Sequence, residues 1–279
     1  MRGFGVRGCG VRAAIVAVVL VLAAVVVVVV VLDRKDVTTP GCTVALPEGA
    51  HSAAATQFTL QPDQMGNAAT IAAVAIRRGL PGHAVTIALA TALQESKLRN
   101  LSGGDRDSVG LFQQRPSQGW GTPAQLQDPV YAATAFYEKL VDLDAWDTLP
   151  ITEAAQAVQR SGAPDAYAKW EPEARTAAAA LTGEFPAALT CRNLAVGPPT
   201  ANLGSTAEAE LGTAKLSGPH PAAQGWALSS WLVARAIPLG VDKVSFAGRT
   251  WTSATGAWNE DADAGPDLSL HQVTTPPPS

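Results

Sequence analysis

Residues 13–32 read AAIVAVVLVLAAVVVVVVVL, a run with neither a charge nor a proline. At about 1.5 Å per residue, a helix of that length crosses the roughly 30 Å hydrocarbon core of a bilayer. Arg2, Arg7 and Arg12 precede the run, while DRKD (33–36) follows it with no net charge. That imbalance places residues 1–12 in the cytoplasm and the bulk of the chain outside. The run is longer than a signal-peptide core of about 7–15 residues, and no A-x-A site follows it. TPGC, ending at Cys42, is a poor lipobox. The expectation is an uncleaved, single-pass anchor in the cell membrane.

This run inflates the 47% hydrophobic content, so the exported part has a smaller core than the figure suggests. A net charge of −4 gives no basic face for nucleic acid. His51, His83, His220 and His271 are scattered, with no Cys or carboxylate at ligand spacing. Neither a metal nor another cofactor is therefore expected. Cys9 falls on the cytoplasmic side of the span, which leaves Cys42 and Cys191 outside. An extracellular compartment permits disulfides. Joining these two would constrain the unfolded chain by on the order of 5 kcal/mol, and they are expected to pair.

After the anchor, residues 33–60 are rich in Thr, Pro, Gly and Ala without a sustained period, and read as a stalk. Residues 61–191 read as one mainly helical domain. Asn67–Leu80 places Ile71, Val74 and Ala75 on one face and ends at Pro81-Gly82. A second helix over about 83–98 spaces Val85, Leu89, Ala92 and Leu93 at 3.6 residues. Residues 100–120 are loop-rich. Helical pattern returns at Asp128–Leu143, with Asp128 as N-cap and Pro129 at the first position, then at Thr152–Ser161 and Asp165–Leu181. Residues 192–219 are polar and Gly/Pro-punctuated, which predicts a linker. Over 220–258 a helix at Trp226–Ala236 and a hairpin turning at Ala247-Gly248 suggest a small α+β unit. Residues 259–279 read as a disordered tail. Oligomeric state is not legible.

One glutamate ends the second helix, in LQESKL. Small neighbours on its face, Thr91 and Ala92, leave room for a ligand. The helix dipole and flanking apolar residues both disfavour the carboxylate form of Glu95, as a general acid requires. From spacing alone, a solvated carboxylate in a last helical turn is the commoner explanation.

A family resemblance bears on that choice. ALATALQESKL (88–98) followed by GDRDSVGLFQ (104–113) resembles the lysozyme-like superfamily of soluble lytic transglycosylases and goose-type lysozymes. There a catalytic Glu-Ser closes a helix and a G-L-[MF]-Q segment follows in the cleft; the matching residues are Glu95-Ser96 and Gly110–Gln113. GDRD resembles the goose-type stretch just before that segment. AYAKW (166–170) resembles the segment whose Tyr faces the acid, here Tyr167. The wording GLFQQRPSQGWGT, with DPVYAA and AAQAVQRS after it, is similar to an actinobacterial membrane-anchored or secreted group.

The resemblance implies cleavage of the bond between N-acetylmuramic acid and N-acetylglucosamine in peptidoglycan, with Glu95 as acid. Asp105 becomes the candidate base of a hydrolase. A transglycosylase needs no second carboxylate, because the substrate's own C6 hydroxyl attacks and leaves an anhydro end. Ser96, Asp107, Gln113, Gln114, Trp120 and Tyr167 are the expected substrate-site residues. Either aspartate can instead be a turn residue serving its own loop. The alternative function is a non-catalytic wall-binding or scaffold protein. Its mark would be a cleft blocked by packing, or Glu95 held in a salt bridge by Lys97, Arg99 or Arg115. The C-terminal tryptophans fit either a wall-binding module or a core.

Overall fold

A computed structural model describes residues 39–47, 49–50, 57–161 and 164–274. The expected membrane span, residues 13–32, lies outside them, as do residues 275–279. Among the described residues no helix is long and apolar enough to cross a membrane.

The chain is helix-rich with a small C-terminal sheet, the coarse architecture its periodicity implies. Helix α1 (Pro62–Arg77) begins at a proline, and the Gln64 side chain turns back to accept the Gln61 N–H. Gly79, with φ 67°, and Pro81 stop the helical run. Helix α2 (Gly82–Ser96) buries every residue from Ala84 to Leu93, so it is the central helix and apolar all round. Helices α3 (Pro123–Leu126) and α4 (Pro129–Val141) follow, the latter capped by Asp128 as expected. Next comes α5 (Ile151–Gln159). The helix expected over 165–181 is split: a 3-10 turn covers Pro164–Trp170, and α6 starts at Glu171 and runs to Leu181. Pro172 explains the break: without an N–H it cannot continue a helix running in from 165, but it suits the first turn of a new one.

The expected stalk is partly a sheet. Strand β1 (Gly41–Ala45) lies between β2 (Gln57–Leu60) and β3 (Leu189–Arg192), all antiparallel. Cys42 faces Cys191 across the β1–β3 pair, Cα atoms 4.0 Å apart, and the two form the expected disulfide. One of the two partners of β1, β3, is nearly 150 positions away, so local composition could not announce the central place of β1 in a sheet.

The expected linker and, as far as residue 274, the expected tail are also folded. Helix α7 (Leu203–Leu211) occupies the linker and buries Ala207, Glu210 and Leu211. Helices α8 (Ala222–Ala234) and α9 (Ala236–Leu239) precede the hairpin of β4 (Val241–Phe246) and β5 (Arg249–Thr252). Its turn falls at Ala247-Gly248, with φ 50° and 75°, the left-handed pair that a two-residue hairpin needs. Strands β6 (Trp258–Glu260) and β7 (Ser269–Gln272) complete a sheet of order β6-β5-β4-β7.

Pro40–Ser279 forms one compact unit with one continuous apolar core. Trp251 and Trp258 donate to the carbonyls of Cys191 and Leu189, at 3.2 and 2.9 Å, joining the second sheet to β3. A Cβ on Gly183 would sit 2.0 Å from the Ala223 carbonyl, so α8 rides directly on the turn after α6. Glu210, buried on α7, accepts from Trp231 Nε1 (2.7 Å) and Thr70 Oγ1 (3.0 Å) and pairs with Arg235 (2.8 Å). Trp226 packs edge-on to Phe246 and Trp258. The C-terminal aromatics are core, and the tail joins the same fold.

Candidate functional site

Helix α2 ends abruptly after Glu95-Ser96. Lys97 and Leu98 both take left-handed backbone, φ 56° and 58°, a conformation that costs a non-glycine residue about 1–2 kcal/mol. Helix α1 holds the resulting kink: Gln64 Nε2 donates to the Lys97 carbonyl at 2.6 Å and Asn67 Nδ2 to that of Leu98 at 2.7 Å. The Ser96 hydroxyl, buried, reaches the Leu111 carbonyl at 2.6 Å. It ties the helix end to the GLFQ segment and does not reach toward ligand space, as had been expected of it.

Glu95 is half-buried and lines a polar cleft of about 810 Å³. The Tyr167 hydroxyl donates to Glu95 Oε1 at 2.7 Å. Tyr167 is fully buried on the 3-10 turn. Burial, and secondarily the Glu95 carboxylate, push the Tyr167 pKa well above the ordinary value, so it stays a donor throughout the working pH range. On the neighbouring position Gln94 Oε1 accepts from Trp170 Nε1 at 2.9 Å, which anchors the turn that carries Tyr167. Among the described residues none of Lys97, Arg99 and Arg115 forms a salt bridge with Glu95, although Lys97 is near enough to feel its charge. Lys97 caps the Leu93 carbonyl and lies 4.4 Å from the Trp170 ring centroid; Arg99 faces Asp63; Arg115 binds Asp107.

The 100–120 loop is folded by two isolated antiparallel bridges, Leu101–Gly110 and Val109–Gln114. Gly110 has φ 79°, and a Cβ there would meet the Leu126 carbonyl at 2.2 Å, so the helix-side wall admits only glycine. Asp105, Ser108 and Gln113 line the cleft. The Asp105 side chain is 94% exposed, with Arg106 at 3.9 Å. Gln113 lines the cleft while bonding within the loop, accepting from Ser108 and donating to the Gly110 carbonyl.

Two expected substrate residues serve the loop instead. Asp107 accepts from the Ser117 N–H at 2.8 Å and from Arg115 Nε at 2.7 Å. These contacts, the Ser117 amide foremost, hold its carboxyl well below the ordinary 3.8. Gln114 is buried and donates to the Ala132 carbonyl, tying the loop to α4. Trp120 lines the cleft as expected, but Lys139 Nζ sits 3.7 Å from its ring centroid, on the surface a stacking sugar would use.

Sequence reasoning missed the far wall, to which α4 and α5 contribute Lys139, Asp142, Gln159 and Arg160. Gln159 Nε2 donates to the Phe112 carbonyl at 2.7 Å, fixing the end of α5 against the GLFQ segment. Lys139 is an exposed residue of the last turn of α4 and Arg160 the exposed residue that closes α5, and no local pattern marks them. No protein-family model matches this chain, and no curated protein sequence is significantly similar to it.

Proposed function

We propose that this protein is a membrane-anchored, extracytoplasmic enzyme of the lysozyme-like type that cleaves peptidoglycan glycan strands, with Glu95 as general acid. The supporting observation is the 2.7 Å hydrogen bond from Tyr167, 72 positions away, onto Glu95 at the wall of an open polar cleft. A merely solvated helix-end carboxylate has no need of a buried tyrosine donor. With Oε1 engaged by Tyr167, Oε2 is the carboxyl oxygen left to face the leaving group.

In the proposed reaction Glu95 protonates the oxygen between N-acetylmuramic acid and N-acetylglucosamine, and the C1–O bond breaks with oxocarbenium character. The Tyr167 donor then stabilises the Glu95 carboxylate. Asp107 is committed to its loop, and Asp105 stands in water beside Arg106, unsuited to fixing a single nucleophilic water. That favours attack on C1 by the muramyl C6 hydroxyl, with its proton returning to Glu95. The product is a 1,6-anhydro end and the enzyme is regenerated.

The test is digestion of purified peptidoglycan by the full chain in detergent and by its Glu95→Gln variant, with products read by mass spectrometry. Anhydromuramyl ends that disappear in the variant are expected. Reducing muramyl ends would make the enzyme a hydrolase and return Asp105 to the role of base. If the folded wild type releases no more product than the variant, the catalytic reading fails in favour of a glycan-binding or scaffold protein.

A further inference from the structure

The part of the cleft lined from the ends of α4 and α5 carries two cations without an anionic partner among the described residues. Lys139 projects from the last turn of α4, and Arg160 from the left-handed residue (φ 51°) that closes α5. Both line the same cleft as Glu95. Every other arginine that lines or borders this cleft has a carboxylate: Arg115 has Asp107 and Arg106 has Asp105. Asp142 lines the same wall, three positions beyond Lys139, and among the described residues it pairs with neither cation.

Lys139 is held by its side chain, and Arg160 is placed by its backbone at the end of α5. Lys139 rests on the Trp120 ring, and Trp120 is fixed by the Tyr131 hydroxyl on its carbonyl at 3.3 Å. Gln159 ties the residue next to Arg160 to the GLFQ segment. Partial burial, and then the charge of Arg160, pull the Lys139 pKa down. An exposed lysine on a helix face ordinarily finds water or an i,i+4 acid; this one lies on an aromatic ring beside an arginine.

The geometry points to Lys139 and Arg160 as a carboxylate-binding subsite that selects glycan bearing an anionic substituent on its muramyl residues. The inference rests on the glycan-cleaving reading of the same cleft and adds the feature of the substrate that the cleft distinguishes. Peptidoglycan offers that carboxylate from two sources: the lactyl group of stripped strands and the peptide stem of intact ones. Arg160 supplies a planar fork suited to a carboxylate, and Lys139 a compact charge. Trp120 thus acts as the seat of a cation rather than as a bare stacking platform.

The experiment measures binding to the full-length Glu95→Gln protein in detergent, which prevents turnover. Three probes are used: neutral N-acetylglucosamine tetramer, stripped N-acetylglucosamine–N-acetylmuramic acid tetrasaccharide with free lactyl carboxylates, and the same tetrasaccharide carrying tetrapeptide stems. The Lys139→Gln/Arg160→Gln pair is then added. One or both anionic probes are expected to bind tighter than the neutral one and to lose about tenfold in the double variant, the effect of one charge-assisted hydrogen bond. Neutral-probe binding should hold steady, which also certifies the fold. Raising the salt should erode the same preference. The anionic probe that loses affinity identifies the source. If neutral and anionic glycans bind alike and the double variant alters neither, the subsite is overturned while the cleft reading stands. If the Glu95→Gln protein binds none of the probes, the cleft reading falls and takes the subsite with it.

Discussion

Glu210→Ala tests whether the C-terminal third belongs to the same cooperative unit as the cleft. Glu210 is 3% exposed and joins three helices: Thr70 on α1, its own α7, and Trp231 and Arg235 at the end of α8. Truncation removes two hydrogen bonds to a charged acceptor, each worth about 1.5–3 kcal/mol. It also strands Arg235, whose Nε already lacks a partner. Breaking a buried pair from one side costs about 3–5 kcal/mol, because the remaining charge is uncompensated. These contributions overlap, so about 4 kcal/mol is the expected loss, a large share of a typical total of about 5–15 kcal/mol. At about 2–4 °C per kcal/mol for a unit of this size, Tm should fall by about 8–16 °C. Glu210→Gln keeps an acceptor for Trp231 and Thr70 and loses only the charge opposite Arg235, so it should lie between. Thermal and urea unfolding followed by tryptophan fluorescence and near-ultraviolet circular dichroism would read both variants. A loss below about 1 kcal/mol, the scale of a surface pair, would refute the argument. It would mean that α7 and α8 lie loosely on α1.

Other consequences are equally direct. Tyr167→Phe keeps the buried ring and removes the donor to Glu95; kcat/KM on peptidoglycan should drop about 10–100-fold, the kinetic worth of a hydrogen bond to a charged group, with Tm nearly unchanged. Asp105→Asn should leave anhydromuramyl release little altered, and a collapse of activity would revive the hydrolase. Because Asp107 is held below the ordinary carboxyl value, its contribution to stability is fully present above about pH 3.8 and is lost as pH falls below it. Wild type and Asp107→Asn should therefore differ in urea unfolding at pH 6, and the gap should narrow progressively only as pH falls from about 3.8 towards about 2. A chain truncated after Arg192 loses the cover over α1, α6 and β3; it should bind the dye ANS and melt without a cooperative transition.

What was legible in the sequence divides by the range of the interactions. Helices α1, α2 and α4 and the hairpin at Ala247-Gly248 are specified by period and turn chemistry within their own segments; α2, α4 and the turn fall within a few residues of those signals, while α1 starts five residues before the expected Asn67. Strands β1 and β3 depend on each other across most of the chain, and α7 depends on Trp231 and Thr70 to bury a glutamate. Neither carries a local signal, so a stalk and a linker were the readings that composition allowed.

The same division explains the site. A loop-rich stretch such as 100–120 must satisfy its own backbone groups before it can offer polar groups to a ligand. Asp107 answers the Ser117 amide and Gln114 the Ala132 carbonyl, while Ser96 just before the loop answers Leu111. Residue type and proximity to a motif therefore overcount substrate contacts, since an amide or hydroxyl near a motif has about as many backbone partners to choose from as ligand atoms. The discriminating property is the group left without a protein partner. On that criterion the cleft offers a ligand the Glu95 edge not engaged by Tyr167, the exposed Asp105, and the cation pair Lys139 and Arg160 brought together from separate helices. Only the first two were visible as motif residues. The cations come together only because α4 and α5 line one cleft, and in the proposed reading they decide which glycan it accepts.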